Sequence, residues 1–326
     1  MDVKIFPVHL GGTVRAIPSK SQAHRALICA ALADGPTRVE RGGESEDIAA
    51  TAACLSALGA VIERQPGGYF VSPVRPQREQ GADVCLPCGE SGSTFRFLLP
   101  IAGALGQDVS FLLKGRLPKR PLSPLYEELV RHGCELSPQG SVPLHITGQL
   151  TPGHYSLDAG VSSQFISGLL FALPLLEGDS ELRLTGRVES FPYVELTMAM
   201  LETFGLSVAF DGSVFYLSGG QVYRSPGVIS VEGDWSNAAF WLSAGAIGNG
   251  GSGGVTCTGL DLQSRQGDRA IVEILSRFGA RLEEEDSAVT VRGGNLGGIE
   301  IDARDIPDLV PILAVVAVAA QGTTDL

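Results

Sequence analysis

Residues 153–176 read G-H-Y-S-L-D-A-G-V-S-S-Q-F-I-S-G-L-L-F-A-L-P-L-L. A glycine opens a short segment that alternates apolar and polar, the pattern of a strand with one face buried. A small polar turn follows, and then twelve residues from Phe165 to Leu176 that carry no charge. Such a run is apolar on almost every face, so as a helix it must be covered all round and lie inside the protein. Strand, polar turn and buried helix recur along the chain. The same succession opens with G-T-V-R-A-I-P-S-K-S at Gly12, G-A-D-V-C-L-P-C-G-E-S at Gly81, G-V-I-S-V-E-G-D-W-S-N at Gly227 and G-I-E-I-D-A-R-D-I-P-D at Gly298, the openings falling 69 to 74 residues apart. A second series marks where each unit's later helix ends and turns into a strand: Gly59, Gly133, Gly205 and Gly279. The chain is thus built from copies of one supersecondary unit. Each strand-to-helix turn presents unpaired backbone N–H groups and the positive end of a helix dipole, which suits anions.

Five openings stand against four closings, because the fifth unit reaches Gly322-Thr-Thr-Asp-Leu326 where its first helix should pass into a strand. If the repeat holds, a sixth opening would fall roughly 72 residues beyond Gly298. The expectation is therefore a chain cut from a longer one.

The second helices differ from the first. In D-I-A-A-T-A-A-C-L-S-A-L-G, Ile48, Leu55 and Leu58 share one side and Asp47 and Thr51 another; in P-L-Y-E-E-L-V-R-H-G, Glu127, Glu128 and Arg131 surround Leu125 and Leu129. These read as half-exposed. Leu309 to Ala320 reads, like Phe165 to Leu176, as a buried helix. Helices inside and sheets outside is the inverse of a doubly wound fold. With about 72 residues per unit, three units make one domain of ordinary size. The polar stretch S-G-G-Q-V-Y-R-S-P-G, Ser218 to Gly227, is the expected boundary. Residues 16–228 would form the first domain, and residues 1–15 with 229–326 a second, discontinuous one that a strand from Val3 to Val8 can join.

A hydrophobic fraction of 44% with 18% charged residues is that of a globular protein, not a disordered one. The net charge of −12 argues against a generic nucleic-acid or anionic-membrane surface, so an anionic ligand must be held by a local basic pocket. Apolar runs of twelve residues fall short of the roughly 20 that span a bilayer. The N-terminus M-D-V-K-I-F-P-V has no signal-peptide pattern, which makes the cytoplasm the expected compartment. Cys29, Cys54, Cys85, Cys88, Cys134 and Cys257 then read as free thiols, several of them buried. Cys85 and Cys88 form a C-x-x-C with no second pair or histidine cluster to complete a zinc site, and none of the five histidines has a metal-spaced partner.

In the first turn, Lys20 and Arg25 flank a helix start where cations oppose the dipole by about 0.3–1 kcal/mol each. That points to an anion between them, against a plain surface reading in which Ser19 or Ser21 caps the helix. The second turn, Cys88-Gly89-Glu90-Ser91-Gly92-Ser93-Thr94-Phe95-Arg96, is a glycine-containing loop without P-loop spacing. The third places Ser162, Ser163 and Gln164 at a helix start, where they can hold a phosphate or simply cap. Between these turns lies a basic loop with Lys114, Arg116, Lys119 and Arg120, and a guanidinium such as Arg120 suits a carboxylate or phosphate. The fifth turn offers Asp302, Asp305 and Asp308, dipole partners of which one can serve as a proton acceptor.

Taken together, S-K-S-x-x-x-R-A-L, G-E-S-G-S-T-F-R-F-L, K-R-P-L, S-S-Q-F-x-S-G-L-L, S-F-P-Y, V-E-G-D-W-S-N-A and D-I-P-D-L-x-P come in the order found in the enolpyruvyl transferases. The chain resembles most the members that act on shikimate-3-phosphate, the glyphosate targets of the shikimate pathway, and the resemblance covers essentially its whole length. It implies a two-domain inside-out α/β fold, each domain three copies of a β-α-β-α-β-β unit, with the second domain incomplete here. It implies transfer of the enolpyruvyl group of phosphoenolpyruvate to the 5-hydroxyl of shikimate-3-phosphate with release of phosphate, in chorismate and aromatic amino-acid biosynthesis. No metal or organic cofactor is implied, and the full-length form would be a monomer.

By the same resemblance, Lys20, Ser21 and Arg25 contact shikimate-3-phosphate, Lys20 also reaching phosphoenolpyruvate. Ser162, Ser163, Gln164 and Ser190 hold the sugar-like phosphate, with Tyr193 nearby. Gly92, Arg120 and Gln164 line the phosphoenolpyruvate site, where glyphosate competes, and Asp308 matches the proton acceptor near the 5-hydroxyl. Glu90 and Ser93 stand where many members have asparagine and threonine, which bears on herbicide sensitivity. The family's later Lys-Glu-x-x-Arg element would lie beyond Leu326, so this chain is expected to be inactive alone; a non-catalytic binder of the phosphate ligand is the alternative. Enolpyruvyl transferases for UDP-N-acetylglucosamine typically carry a cysteine five residues before the arginine matching Arg120. Here that residue is Gly115, and the S-S-Q turn favours shikimate-3-phosphate.

Overall fold

The computed structural model describes residue 4 and residues 10–41, 43–74, 84–248 and 254–326. The expected strand at Val3 to Val8 and the opening at Gly81 lie outside the described residues. The helices are α1 (Lys20–Leu32), α2 (Glu46–Ala57), α3 (Gly92–Ala104), α4 (Leu125–Arg131), α5 (Ser163–Ala172), α6 (Phe191–Thr203), α7 (Trp235–Ile247), α8 (Ile271–Phe278) and α9 (Val310–Ala319). The glycines read as helix ends, Gly59, Gly133, Gly205 and Gly279, follow α2, α4, α6 and α8 with φ of 109°, 97°, 77° and 104°. A side chain there would meet the following carbonyl, so the chain turns out of each helix at the one residue type that enters this region freely.

Residue contacts divide the chain into two compact units, Lys20–Val231 and Met1–Ser19 with Glu232–Leu326. In the larger unit three sheets run Val228–Ser230, Thr37–Glu40, Gly68–Ser72, Val61–Gln65; Val84–Gly89, Val109–Leu113, Leu144–Gly148, Cys134–Leu136; and His154–Asp158, Ser180–Thr185, Val214–Leu217, Ala209–Phe210. The smaller unit has Gly12–Arg15, Val255–Thr258, Ala288–Arg292, Arg281–Glu285. In every sheet the first pair is parallel and the other two pairs antiparallel. α3 and α5 are the crossovers that parallel neighbours need. Two opening strands are exchanged: the one at Gly12 pairs with Val255–Thr258, and the one after Gly227 pairs with Thr37–Glu40.

Within the larger unit α1, α3 and α5 are the interior helices, and the core includes Leu27, Ile28, Phe97, Leu98, Phe165 and Phe171. One pair of residues brings α3 and α5 unusually close. Pro100 in α3 has no N–H to give the carbonyl of Arg96 four residues earlier. Gly168 of α5 packs there instead: a Cβ at 168 would lie 2.5 Å from that carbonyl oxygen and 3.2 Å from Pro100 Cγ. This contact sets how near the start of α5 comes to the start of α3.

Polar positions on the second helices depart from the expected solvent faces. Thr51 is fully buried, hydrogen-bonded to His24 and Thr94, and Glu128 is buried with one carboxylate oxygen accepting from Ser156 N at 3.0 Å. Each has hydrogen-bond partners for its polar atoms, Glu128 also accepting from Arg131 on its own helix, so burial is tolerated. Cys85 is exposed while the other five cysteines are buried, and Cys88 Sγ lies 3.8 Å from Cys54 Sγ.

In the smaller unit α7 and α8 pack on the sheet and α9 packs on α7, around Trp235, Leu242, Phe278, Leu313 and Val316. α9 corrects the expectation of a helix covered all round: Val315 is 52% and Val318 89% exposed, and on α7 Phe240 and Trp241 are exposed too. An apolar composition states that a helix gains from cover on every side; among the described residues these faces have cover on one side. The segment after Gly298 makes only isolated bridges, Gly297 to Gln321 and Glu300 to Asp325, in place of the expected strand. Among the described residues no helix is long and apolar enough to cross a membrane.

Candidate active site

The starts of α3 and α5 meet over the basic loop. Ser91 and Ser162 are the N-caps, accepting from the N–H groups of Thr94 and Gln164. That leaves the Gly92-Ser93 and Ser163 ends of both helices turned toward the same place. Gln164 ties them together: its Nε2 donates to Ser93 Oγ at 2.9 Å, and its Oε1 accepts from Arg96 Nη1 at 2.7 Å. Arg120 closes the group, its Nη1 only 3.2 Å from where a Cβ at Gly92 would stand. Arg96 also lies over the Phe165 ring and donates to Pro121 O. Burial, and then the charge of Arg120, lower the Arg96 pKa. Two guanidiniums, neither paired with a carboxylate among the described residues, thus face two helix N-termini in a protein of net charge −12. An anion is what this geometry accommodates.

The charges at the start of α1 are less simple than two cations awaiting one anion. Lys20, half exposed, pairs with Asp47 of α2 at 3.0 Å. Arg25 is 97% buried: Nε donates to Thr197 Oγ1 at 2.8 Å, Nη1 to Ser21 O and Nη2 to Tyr193 O at 2.7 Å, and the guanidinium lies over Phe97. Desolvation lowers its pKa to about 10, so it stays charged at neutral pH. Thr197 passes its own hydroxyl hydrogen toward Ser167 of α5 or the Tyr193 carbonyl. Arg25 thereby binds α1 to α5 and to the start of α6, whose first cap, Ser190, sits in the left-handed region at φ 57° and makes no capping bond. A non-glycine residue held there is strained.

Lys20, Ser21, Arg25, Gly92, Arg120, Ser162, Ser163, Gln164, Ser190 and Tyr193 all belong to the larger unit. Asp308 belongs to the smaller one, exposed in the short 3-10 turn Pro307–Leu309 that leads into α9. Asp302 is taken by Arg304, which donates to both of its oxygens. Sequence reasoning passed over Arg96, although it stands four residues after Gly92 and so on the same face of α3. It also passed over Asp47, four residues before Thr51, whose role only the fold reveals.

A family described as EPSP synthase (3-phosphoshikimate 1-carboxyvinyltransferase) matches residues 6–326. The chain is 42% identical over 99% of its length to a 3-phosphoshikimate 1-carboxyvinyltransferase of Clostridium kluyveri, and 40% identical over 99% to one of Clostridium perfringens, covering 75% and 76% of those proteins. It superposes on EPSP synthase from Acinetobacter baumannii with a TM-score of 0.80 at 26% identity, over 98% of this chain and 73% of that one. Repeated units with guanidiniums gathered at the starts of α3 and α5, taken with these matches, place the chain in the enolpyruvyl transferase class. Within that class, the chain belongs to the EPSP synthase family.

Proposed function

We propose that this chain serves the transfer of the enolpyruvyl group from phosphoenolpyruvate to the 5-hydroxyl of shikimate-3-phosphate. The hydroxyl oxygen adds to C2 of phosphoenolpyruvate, its proton passing to Asp308 while C3 takes up a proton and becomes a methyl group; loss of one methyl proton and of phosphate from this adduct then re-forms the double bond and leaves the enolpyruvyl ether. The observation that carries this reading is the pair of guanidiniums, Arg96 and Arg120, set without carboxylate partners among the described residues against the starts of α3 and α5. Gly92, Arg120, Gln164 and Lys20 take phosphoenolpyruvate; Lys20, Ser21, Arg25, Ser162, Ser163, Gln164, Ser190 and Tyr193 take shikimate-3-phosphate. Residues 16–228 form one domain in this reading and 1–15 with 229–326 the other, a division supported by the two compact units. The same reading has the protein act in the cytoplasm as a monomer, without nucleic acid, in keeping with its negative charge.

Phosphate release tests it. Release that requires both substrates supports the transfer; binding of shikimate-3-phosphate without release keeps the ligand and removes the chemistry from this chain; binding of neither overturns the reading.

A further inference from the structure

A line of polar side chains crosses the apolar interior of the larger unit. His24 Nδ1 lies 2.7 Å from Thr51 Oγ1, Thr51 Oγ1 is 2.6 Å from Thr94 Oγ1, and Thr94 Oγ1 is 2.7 Å from Ser91 Oγ. All four residues are buried, His24 at 1% exposure and both threonines at none. Valine would fill the threonine sites and avoid desolvating hydroxyls, so a buried polar chain here asks for a reason beyond packing.

Its course supplies one. Lys20 precedes His24 by one helical turn on α1, and Asp47 precedes Thr51 by one turn on α2. Ser91 and Thr94 bracket Gly92 and Ser93 at the start of α3. The Asp47 carboxylate holds Lys20, and the Asp47 carbonyl lies 3.4 Å from the Thr94 hydroxyl. The polar chain is therefore the floor one turn beneath Lys20, Asp47 and the Gly92-Ser93 end.

We propose that His24, Thr51 and Thr94 are positioning residues that set the spacing between Lys20 and the start of α3, and so the fit of phosphoenolpyruvate between them. This rests on the enolpyruvyl-transfer reading. The direction of the hydrogen bonds follows from His24 Nε2, which is buried and has no partner among the described residues. An orphaned lone pair is tolerated better than an orphaned N–H, so Nε2 is bare and Nδ1–H donates to Thr51. Thr51 then donates to Thr94, whose single hydroxyl hydrogen goes either to Ser91 Oγ at 2.7 Å or to the Asp47 carbonyl at 3.4 Å. Burial supports the neutral ring, lowering its pKa to about 3. Shikimate-3-phosphate depends instead on α1, α5 and α6, which Arg25 ties together separately.

The test titrates shikimate-3-phosphate, then phosphoenolpyruvate, into wild type, Thr51→Val and Thr51→Ser by calorimetry. Thr51→Val should lose at least tenfold in phosphoenolpyruvate affinity while shikimate-3-phosphate affinity stays within twofold, and Thr51→Ser should restore the first. Equal losses for both ligands, no loss, or no rescue overturns the proposal and leaves a merely structural network. Wild type that takes up no phosphoenolpyruvate overturns the enolpyruvyl-transfer reading, and this proposal with it. Should Thr51→Val fail to fold, nitrogen NMR of the wild-type ring decides: protonated Nδ1 and bare Nε2 are expected, and the opposite tautomer refutes the relay.

Discussion

Replacing Gly168 by alanine separates close helix packing from helix propensity, because the two predict opposite signs. Alanine is the better helix former by about 1 kcal/mol, and α5 would gain that if nothing opposed it. The added Cβ would stand 2.5 Å from the Arg96 carbonyl oxygen and 3.2 Å from Pro100 Cγ. Neither neighbour is the free end of a flexible side chain, so α5 must draw back from α3 by several tenths of an ångström. Overpacking of this kind costs about 1–3 kcal/mol. The net loss is then up to about 2 kcal/mol, or up to roughly 8 °C in melting midpoint for a unit of this size. The same retreat lengthens the bonds from Gln164 to Arg96 and Ser93, now 2.7 and 2.9 Å. Thermal melts with calorimetric titration of phosphoenolpyruvate onto the shikimate-3-phosphate complex read both effects. A variant that melts at or above wild type with unchanged affinity would refute the reasoning.

Gly92→Ala meets only the movable end of Arg120, so its melt should stay within about 1 kcal/mol of wild type, while phosphoenolpyruvate affinity falls roughly 10- to 100-fold as one charge-assisted bond is displaced. Ser162→Ala should cost about 1 kcal/mol of stability as a lost cap; Ser163→Ala should leave the melt alone and weaken shikimate-3-phosphate by about 1–3 kcal/mol, as a calorimetric titration will read. Lys20→Met removes a half-exposed pair worth at most about 1 kcal/mol, so phosphoenolpyruvate binding should vanish with little change in melting. For His24, the folded pKa of about 3 lies below its ordinary value of 6.5. Between these values the unfolded chain binds the extra proton, so the stability tied to the neutral ring is full above pH 6.5 and declines as pH falls, by up to about 1.4 kcal/mol per pH unit. The stability difference between wild type and His24→Gln, from denaturant melts at several pH values, should shrink along that slope; a constant difference would count against a buried neutral ring.

Much of this fold was legible in the chain. Gly59, Gly133, Gly205 and Gly279 announce helix ends because only a left-handed turn explains a glycine at each repeat, and Ser91 and Ser162 announce helix starts because their hydroxyls satisfy orphan N–H groups. What periodicity cannot say is which sheet a strand joins. The Gly12 and Gly227 strands look like their fellows, yet each completes a sheet begun far away in sequence. The covering of a helix is equally silent: α5 and α9 both read as uncharged, apolar helices, but Val318 is 89% exposed where Phe171 is buried. In the anion cluster, Gly92, Arg120 and Gln164 could be named from their motifs. Arg25 read as a cation facing an anion at a helix start, and its burial depends on the Tyr193 carbonyl and Thr197 hydroxyl of α6, the former 168 residues away. Thr51 read as solvent-facing for a similar reason, since the His24 ring and the Thr94 hydroxyl that satisfy it come from other helices.

The most direct measurement of the central claim is calorimetric titration of shikimate-3-phosphate beside shikimate. The two ligands differ only in the phosphate, which the starts of the helices and Arg25 are held to recognise. At two or more charge-assisted bonds of about 1.5 kcal/mol each, the phosphate ester should bind at least about a hundredfold more tightly. Equal affinity for the two, or no binding of either, would contradict the account.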